Sequence, residues 1–322
     1  MSHDVVEEIE ILPHAASVLA PADYPGAMTS APFGTLLTAM VTPMTPDGAI
    51  DHEGLERVVD HLLSTGHDGI VVNGTTGESA TLTTQESIEV VAFVAARVDG
   101  RAHVVAGAGS NDTAHAVALA RSLAEVGASG LLVVTPYYNK PPQRGLLAHF
   151  RAIADATDLP ACLYDIPGRS GIAIETDTIL ALAEHPRIVA MKDAKADFFA
   201  AAQIMAATDL AWYSGDDVLV LPHVGQGAVG LIGVTTHLAG RQYRALIEAA
   251  IAGRRDEAIA LNQRLAPIAD AVMNTSQGAI MAKAGLVELG VLSSAAVRLP
   301  LIESTEAHLT KLRAGLQASG LL

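Results

Sequence analysis

Three features are scarce in this 322-residue chain, and each scarcity excludes a class of protein. The single cysteine, Cys162, cannot form an intrachain disulfide, which excludes a disulfide-stapled fold. Lys and Arg number 20 against 35 Asp and Glu, and the net charge of −15 argues against a general partner of nucleic acid or of anionic membranes. No apolar run approaches the ~20 residues of a transmembrane helix. The acidic N-terminus is unlike a secretory signal, so we expect a cytoplasmic protein.

Aromatic residues are also few, at 4%, while Ala, Val, Leu and Ile supply most of the apolar half of the chain. This composition suits parallel strands covered by Ala-rich helices. From Gly34, short apolar runs alternate with amphipathic helical patterns. The runs predict strands at 34–41, 69–73, 103–107, 130–135, 161–165, 188–192, 211–214 and 228–234. The helical patterns lie near 51–65, 83–98, 113–126, 143–157, 175–184, 198–207, 216–226 and 239–252.

Eight strand–helix units over ~220 residues favour a (β/α)8 TIM barrel, an α/β fold, over two doubly wound halves. The preference for right-handed crossovers permits both architectures, so the number of strand–helix units decides between them. We therefore predict a catalytic barrel over 34–253. Three further helical stretches, near 254–273, 277–289 and 302–318, predict a C-terminal helical region over 254–322. Residues 1–33 hold four prolines and no sustained periodicity, which predicts an N-terminal extension.

Lys192 ends the apolar run at 188–191, which reads as a short buried strand. At the inner end of such a strand the ammonium is partly desolvated, which lowers the lysine pKa from ~10.4 toward ~7–8. A neutral amine next to a carbonyl substrate can form a Schiff base. The alternative is a surface lysine on a strand-to-helix loop, paired with Asp193 or Asp197.

Three other predicted strands end in unusual polar sequences, and catalytic residues of such barrels come from the C-terminal ends of strands. The run Asn-Gly-Thr-Thr-Gly-Glu-Ser at 73–79 can cradle an anion on its backbone N–H groups. The segment 135–142 carries two tyrosines among prolines, and Tyr164 is followed by Arg169. Taken one at a time, each feature has an ordinary explanation. The glycine-threonine run can be a turn, the tyrosines can be core or interface residues, and the arginine can be a solvated charge on a loop. Their coincidence at four strand ends suits keto-acid chemistry.

One motif match fails on its context, and the motifs of metal sites are missing. Residues 225–230 fit G-x-G-x-x-G, but they precede a predicted strand instead of opening a helix, so we expect no dinucleotide site. The twelve histidines show no H-E-x-x-H spacing and no C-x-x-C partner, so we expect no metal site.

The sequences at these strand ends match a known family in order and spacing. The chain resembles the dihydrodipicolinate synthase family, within the pyruvate-dependent class I aldolases and lyases, from about residue 34 to its C-terminus. Asp165, Gly168 and Asp193 differ from the commonest family residues, and none of the three replaces a catalytic side chain. The matching motifs are Gly-Thr-Thr-Gly-Glu at 74–78, Val-Thr-Pro-Tyr-Tyr at 134–138, Tyr-x-x-Pro-x-Arg-x-Gly at 164–171, Lys192, and Ser-Gly-Asp-Asp at 214–217.

The resemblance implies the catalytic roles. Lys192 condenses with pyruvate to an imine and then an enamine, which attacks the aldehyde of aspartate semialdehyde. Tyr164 shuttles protons through a relay with Thr76 and with Tyr138, the last contributed by a neighbouring subunit. No separate cofactor is implied, since pyruvate is carried as an imine. The product feeds diaminopimelate and lysine synthesis.

The resemblance also implies the substrate contacts and the assembly. Thr75 and Thr76 bind the pyruvate carboxylate, and Arg169 holds the carboxylate of the aldehyde substrate as a bidentate fork. Gly215 and Ile232 line the pocket through their backbone. Family members are usually homotetramers, built as dimers of tight dimers.

Two alternatives stay open. One is a sister enzyme on the same scaffold, such as a 2-keto-3-deoxy sugar acid aldolase or an N-acetylneuraminate lyase; Thr76 and Arg169 favour the synthase. The other is a keto-acid-binding or regulatory barrel without turnover, which the intact lysine, tyrosine and threonine set disfavours.

The resemblance finally bears on regulation by lysine. In lysine-sensitive relatives the regulatory pocket uses two histidines and a glutamate near the anion cradle. Those positions align with Thr84, Ser87 and His115 here, so we expect weak or absent inhibition by lysine. Alternatively, the three residues are only the helix surface at a subunit contact.

Overall fold

Eight parallel strands form a closed barrel in the computed structural model, which describes residues 30–322. Each strand pairs with its neighbours in chain order, and β8 closes on β1. Their bounds are β1 Leu36–Ala39, β2 Gly69–Val72, β3 His103–Gly107, β4 Gly130–Val134, β5 Ala161–Asp165, β6 Ile188–Asp193, β7 Ala211–Ser214 and β8 Gly230–Gly233. The predicted (β/α)8 barrel is confirmed.

The helices alternate with the strands and then continue alone. Those of the barrel are α1 His52–Ser64, α2 Thr84–Val98, α3 Thr113–Glu125, α4 Gln143–Ala154, α5 Pro167–Ser170, α6 Thr176–Ala183, α7 Phe198–Ala207, α8 Val220–Gly225 and α9 Thr236–Ile251. Those of the C-terminal region are α10 Arg255–Met273, α11 Gly278–Glu288 and α12 Glu306–Ala318. Helix α10 packs on α9 and α12, which attaches this region to the barrel.

Local sequence signals fix several of these ends. Thr83 and Glu86 form a reciprocal capping box at the start of α2. Gly66 and Gly127 follow helices with φ of +88° and +99°, the left-handed conformation that glycine adopts without strain. The single helix expected over 216–226 is wrong in detail, because Asp216 caps a 3-10 turn at Asp217–Leu219 before α8 begins.

The barrel interior holds mainly small and branched side chains together with Tyr164 and Tyr213, and Phe33 packs at its N-terminal end. Phe33 is fully buried, and a Cβ added at Gly130 would lie 2.5 Å from its ring. The last residue of the predicted extension therefore packs on the barrel. Residues 1–29 of that extension lie outside the described residues, and the three-part division of the chain stays a prediction.

Three findings on residues 30–322 concern features that the sequence analysis excluded. Gly225 ends α8 and Gly230 begins β8, so the G-x-G-x-x-G match runs into a strand and opens no helix. Across these residues no helix is long and apolar enough to cross a membrane. Over the same range the His, Cys, Asp and Glu side chains form no group of three that could hold a metal ion.

Candidate active site

Lys192 lies inside the barrel near the C-terminal end of β6, with only 4% of its surface exposed. Tyr164 on β5 and Tyr213 on β7 are its direct register partners. Burial lowers the pKa of Lys192 to about 8, and the positive charge of Arg169 also lowers it, while Asp217 raises it. About a tenth of this amine is therefore neutral and nucleophilic at pH 7, far more than for a solvated lysine.

The carboxylates next to Lys192 in sequence face away from it. Asp193 Oδ2 lies 3.4 Å from Nε2 of His223, outside the barrel wall. Asp197 accepts a hydrogen bond from the backbone N–H of Ala200 and caps α7. The alternative of a surface lysine paired with either aspartate is therefore wrong.

Tyr164 provides a proton-carrying group beside the amine. The Lys192 Nζ atom lies 4.3 Å from the centroid of the Tyr164 ring. Burial raises the pKa of Tyr164 to about 12, and the nearby Asp216 also raises it while Arg169 lowers it. The phenol is thus protonated at neutral pH and can donate a proton to a reacting oxygen.

Gly215 lies against the lysine stem and leaves no room for a side chain. A Cβ added there would be 3.1 Å from Lys192 Cγ and 2.9 Å from the carbonyl oxygen of Asp193. Its backbone N–H donates to that same oxygen at 2.7 Å. Ile232 on β8 is fully buried inside the barrel together with Tyr164. Gly215 therefore lies against the lysine stem just after β7 and Ile232 lies in the barrel interior, and their role in lining the substrate pocket stays a prediction.

The predicted anion cradle is a 3-10 turn at Thr75–Gly77, after β2. Thr76 is buried, and Glu78 ends the turn in the left-handed conformation with φ of +57°. Thr42 Oγ1 donates to the Gly77 carbonyl at 2.7 Å, which fixes the turn to the barrel wall. The turn thus stands at the same end of the barrel as Lys192, as parallel strands require.

A cavity of about 280 Å³ opens beside these residues. Thr75, Tyr164 and Arg169 line it, and Arg169 is exposed on the short helix α5, where its guanidinium can meet an anionic ligand. Lys192 and Thr76 lie outside its lining. The other wall includes the three residues that the sequence analysis aligned with the lysine pocket of relatives, Thr84, Ser87 and His115, together with Ser79 and Tyr137.

Tyr138 is the one predicted catalytic residue that this chain does not bring to its own site. Its side chain is 89% exposed, and its backbone has φ of +75°. Its N–H donates to the carbonyl of Ser170 at 3.3 Å, next to Arg169. The tyrosine therefore projects from the mouth of the barrel, and its expected role in a neighbouring subunit stays a prediction.

Asp217 is a buried acid that the sequence identified only as part of a motif. Its carboxylate accepts hydrogen bonds from the backbone N–H groups of Val234 and Thr235, at 2.9 Å in each case, which ties the 3-10 turn after β7 to the end of β8. Burial raises the pKa of Asp217 to about 6. The negative charge of Asp217 raises the pKa of Lys192 and so favours the ammonium form of that residue.

Comparison with known proteins identifies this arrangement. The model of the dihydrodipicolinate synthetase family matches residues 32–319. The chain belongs to the dihydrodipicolinate synthetase family. A 4-hydroxy-tetrahydrodipicolinate synthase of Acidothermus cellulolyticus is 52% identical over 294 residues, which cover 91% of this chain and 95% of the relative.

Solved structures of the family share the fold. A dihydrodipicolinate synthase of Cyanidioschyzon merolae with lysine bound has a TM-score of 0.88 at 41% identity, covering 91% of this chain and all (100%) of that one. A chloride-inhibited dihydrodipicolinate synthase of Acinetobacter baumannii complexed with pyruvate has a TM-score of 0.86 at 36% identity, covering 90% and 99%. The family and the synthase function predicted from the sequence are confirmed.

Proposed function

We propose that the chain condenses pyruvate with L-aspartate 4-semialdehyde to give 4-hydroxy-tetrahydrodipicolinate, with Lys192 as the amine that holds pyruvate. The observation that carries this proposal is a buried lysine of lowered pKa beside the ring of Tyr164 at the C-terminal end of a barrel strand. The names of relatives about half identical to this chain support the same reaction. It belongs to diaminopimelate and lysine biosynthesis.

In the first step the neutral Nζ of Lys192 attacks the keto carbon of pyruvate. The carbinolamine loses its hydroxyl as water, with a proton supplied through Tyr164, and a protonated imine remains. Loss of a proton from the pyruvate methyl group then gives an enamine. This sequence uses the phenol as donor and then as acceptor, which suits the protonated, buried Tyr164.

In the second step the enamine carbon attacks the aldehyde carbon of aspartate semialdehyde. The new C–C bond forms while the aldehyde oxygen takes a proton from the relay of Tyr164, Thr76 and the Tyr138 of a neighbouring subunit. The substrate's own amine then attacks the imine carbon, closes the ring and releases Lys192. Because the imine serves as the electron sink, we propose no separate cofactor and no metal.

The substrate carboxylates have separate partners in this proposal. Thr75 and Thr76 receive the pyruvate carboxylate through the backbone and hydroxyl groups of the cradle turn. Arg169, exposed at the mouth of the cavity, receives the carboxylate of the aldehyde substrate. Gly215 and Ile232 line the pocket at the lysine stem. We propose a homotetramer, a dimer of dimers, in which Tyr138 completes each site across the tight dimer.

A turnover assay tests the choice of substrate. The protein is incubated with pyruvate plus aspartate semialdehyde and, in parallel, with a 2-keto-3-deoxy sugar acid or with N-acetylneuraminate, which a sister enzyme would cleave to pyruvate and an aldehyde. We expect efficient condensation only with aspartate semialdehyde. Preferred turnover of a sugar acid would assign the chain to a sister enzyme, and pyruvate binding without any turnover would indicate a regulatory barrel.

A further inference from the structure

A buried ion pair joins the cradle turn to the C-terminal helical region. Lys283, on α11, donates a hydrogen bond from its ammonium to Oε1 of Glu78, the residue that ends the turn. Neither side chain is open to solvent, since Lys283 is 0% exposed and Glu78 4%. A charge pair taken out of water is stable only if its remaining hydrogen-bonding atoms also find partners.

Those partners come from the segment that follows α11. The ammonium of Lys283 also donates to the carbonyl of Ala296 at 2.7 Å. The backbone N–H of Arg298 donates to the second carboxylate oxygen of Glu78 at 2.9 Å. Both oxygens of the carboxylate are thereby held by groups from the C-terminal region, which the reaction itself does not use.

The guanidinium of Arg298 holds the sequence just beyond the turn. It donates to the carbonyl of Thr81 at 2.8 Å and to Oε2 of Glu86 at 2.9 Å. Glu86 also closes the capping box at the start of α2. The C-terminal region therefore forms hydrogen bonds both to the end of the cradle turn and to the start of the helix that follows it.

The cradle turn needs these stabilising contacts because one of its residues has an unfavourable backbone conformation. Glu78 has φ of +57°, a conformation that residues with a Cβ adopt rarely and that persists where the surroundings over-determine it. On the opposite side a Cβ added at Gly77 would be 3.1 Å from the Met40 carbonyl, so the turn lies directly against the barrel wall. The turn is thus clamped between the barrel and the buried ion pair.

We propose that Glu78 and Lys283 are positioning residues that hold Thr75 and Thr76 in place for the pyruvate carboxylate. The inference rests on the proposed function. Each single neutral substitution, Glu78→Gln or Lys283→Met, leaves one buried charge without its partner, whereas the double substitution leaves none. A turn that shifts by about 1 Å loses its carboxylate contacts, while the amine of Lys192 stays where β6 holds it.

The test measures pyruvate binding by trapping the imine with borohydride over a range of pyruvate concentrations. In Glu78→Gln and in Lys283→Met we expect the half-saturating pyruvate concentration to rise about 10- to 100-fold. At saturating pyruvate the trapped fraction reaches that of the wild type. In the double variant the rise is smaller than the product of the two single rises, because no unpaired buried charge remains.

A matched control removes a different ion pair of the C-terminal region. Arg313 on α12 contacts Glu288 at 2.9 Å. Arg313→Met is expected to keep the wild-type half-saturating concentration, even if its Tm falls. If the single variants do not fold, Arg298→Met supplies the test, since it keeps the ion pair and frees Thr81 and Glu86; we expect a rise of about threefold to tenfold.

Two outcomes overturn the inference. One is a lowered Tm with an unchanged half-saturating pyruvate concentration in the folded variants, which would show a purely structural ion pair. The other is a rise of the same size in the control Arg313→Met. If the wild type itself traps no pyruvate, the proposed function fails, and the inference that rests on it fails too. The wild-type measurement therefore distinguishes failure of the proposed function from failure of the inference alone.

Discussion

The ammonium of Lys192 lies 4.3 Å from the ring centroid of Tyr164, and the two residues are direct partners in the register of β5 and β6. Burial acts on both in opposite senses, lowering the pKa of the amine to about 8 and raising that of the phenol to about 12. The pair therefore presents a neutral nucleophile and a proton donor over the same pH range, which is what imine formation requires.

The first prediction concerns the pH dependence of imine formation. Because the pKa of Lys192 is lowered to about 8, the neutral fraction of the amine grows about tenfold per pH unit below that value and levels off above it. The rate of borohydride-trapped adduct formation at saturating pyruvate should follow this curve. A rate that keeps rising to about pH 10 would indicate an ordinary solvated lysine.

The second prediction concerns Arg169. Arg169→Lys keeps a positive charge at the cavity mouth but loses the planar fork of the guanidinium. We therefore expect kcat/KM for aspartate semialdehyde to fall by a factor that corresponds to about 2–3 kcal/mol of lost transition-state binding. Imine formation with pyruvate should stay close to normal. Arg255→Lys, at an exposed position on α10, is the control. An unchanged kcat/KM in the Arg169 variant would show that this residue does not contact the aldehyde substrate.

The third prediction concerns Tyr138. Tyr138→Phe keeps the ring and removes the hydroxyl, so we expect kcat to fall by ~10²–10⁴-fold without loss of assembly or of Tm. Mixing this variant with Lys192→Ala subunits should restore activity, since some sites then combine an intact lysine with a neighbour's intact tyrosine. Full activity in Tyr138→Phe alone would place the tyrosine outside the relay, and mixed subunits that stay inactive would show that it does not act across a subunit interface.

The fourth prediction concerns regulation by lysine. The structure brings Thr84, Ser87 and His115 to one wall of the 280 Å³ cavity, beside Ser79 and Tyr137. A ligand ammonium would find no carboxylate at position 115, and a charged hydrogen bond is worth ~1.5–3 kcal/mol. We therefore expect about tenfold to a hundredfold weaker inhibition than in a lysine-sensitive relative. Titrating lysine to millimolar levels checks this, and strong inhibition there would contradict our view of the pocket.

Most of the fold follows from local signals in the sequence. The strands are short apolar runs, and three of them, β3, β5 and β7, have the predicted bounds because turn residues flank them closely. Lys192, Tyr164 and the cradle could be placed together because the C-terminal ends of all eight strands meet at one end of a barrel.

The remainder depends on contacts between residues far apart in sequence. The Glu78–Lys283 pair spans 205 positions, and no local pattern around either residue identifies the other as its partner. A lysine inside an otherwise apolar helix, Gly278–Glu288, was the available signal. Tyr138 is 89% exposed in this chain, and its expected place in the site of a neighbouring subunit stays a prediction.

The central claim is that Lys192 forms the imine with pyruvate, and the site of the adduct tests it most directly. The protein is treated with borohydride in the presence of pyruvate and then digested. The mass of each lysine-containing peptide is measured by mass spectrometry. We predict that one reduced pyruvyl group is added per chain, on the peptide that contains Lys192, and that Lys192→Arg abolishes it. An adduct on another lysine, such as Lys195, or an undiminished adduct in the variant, would contradict the account.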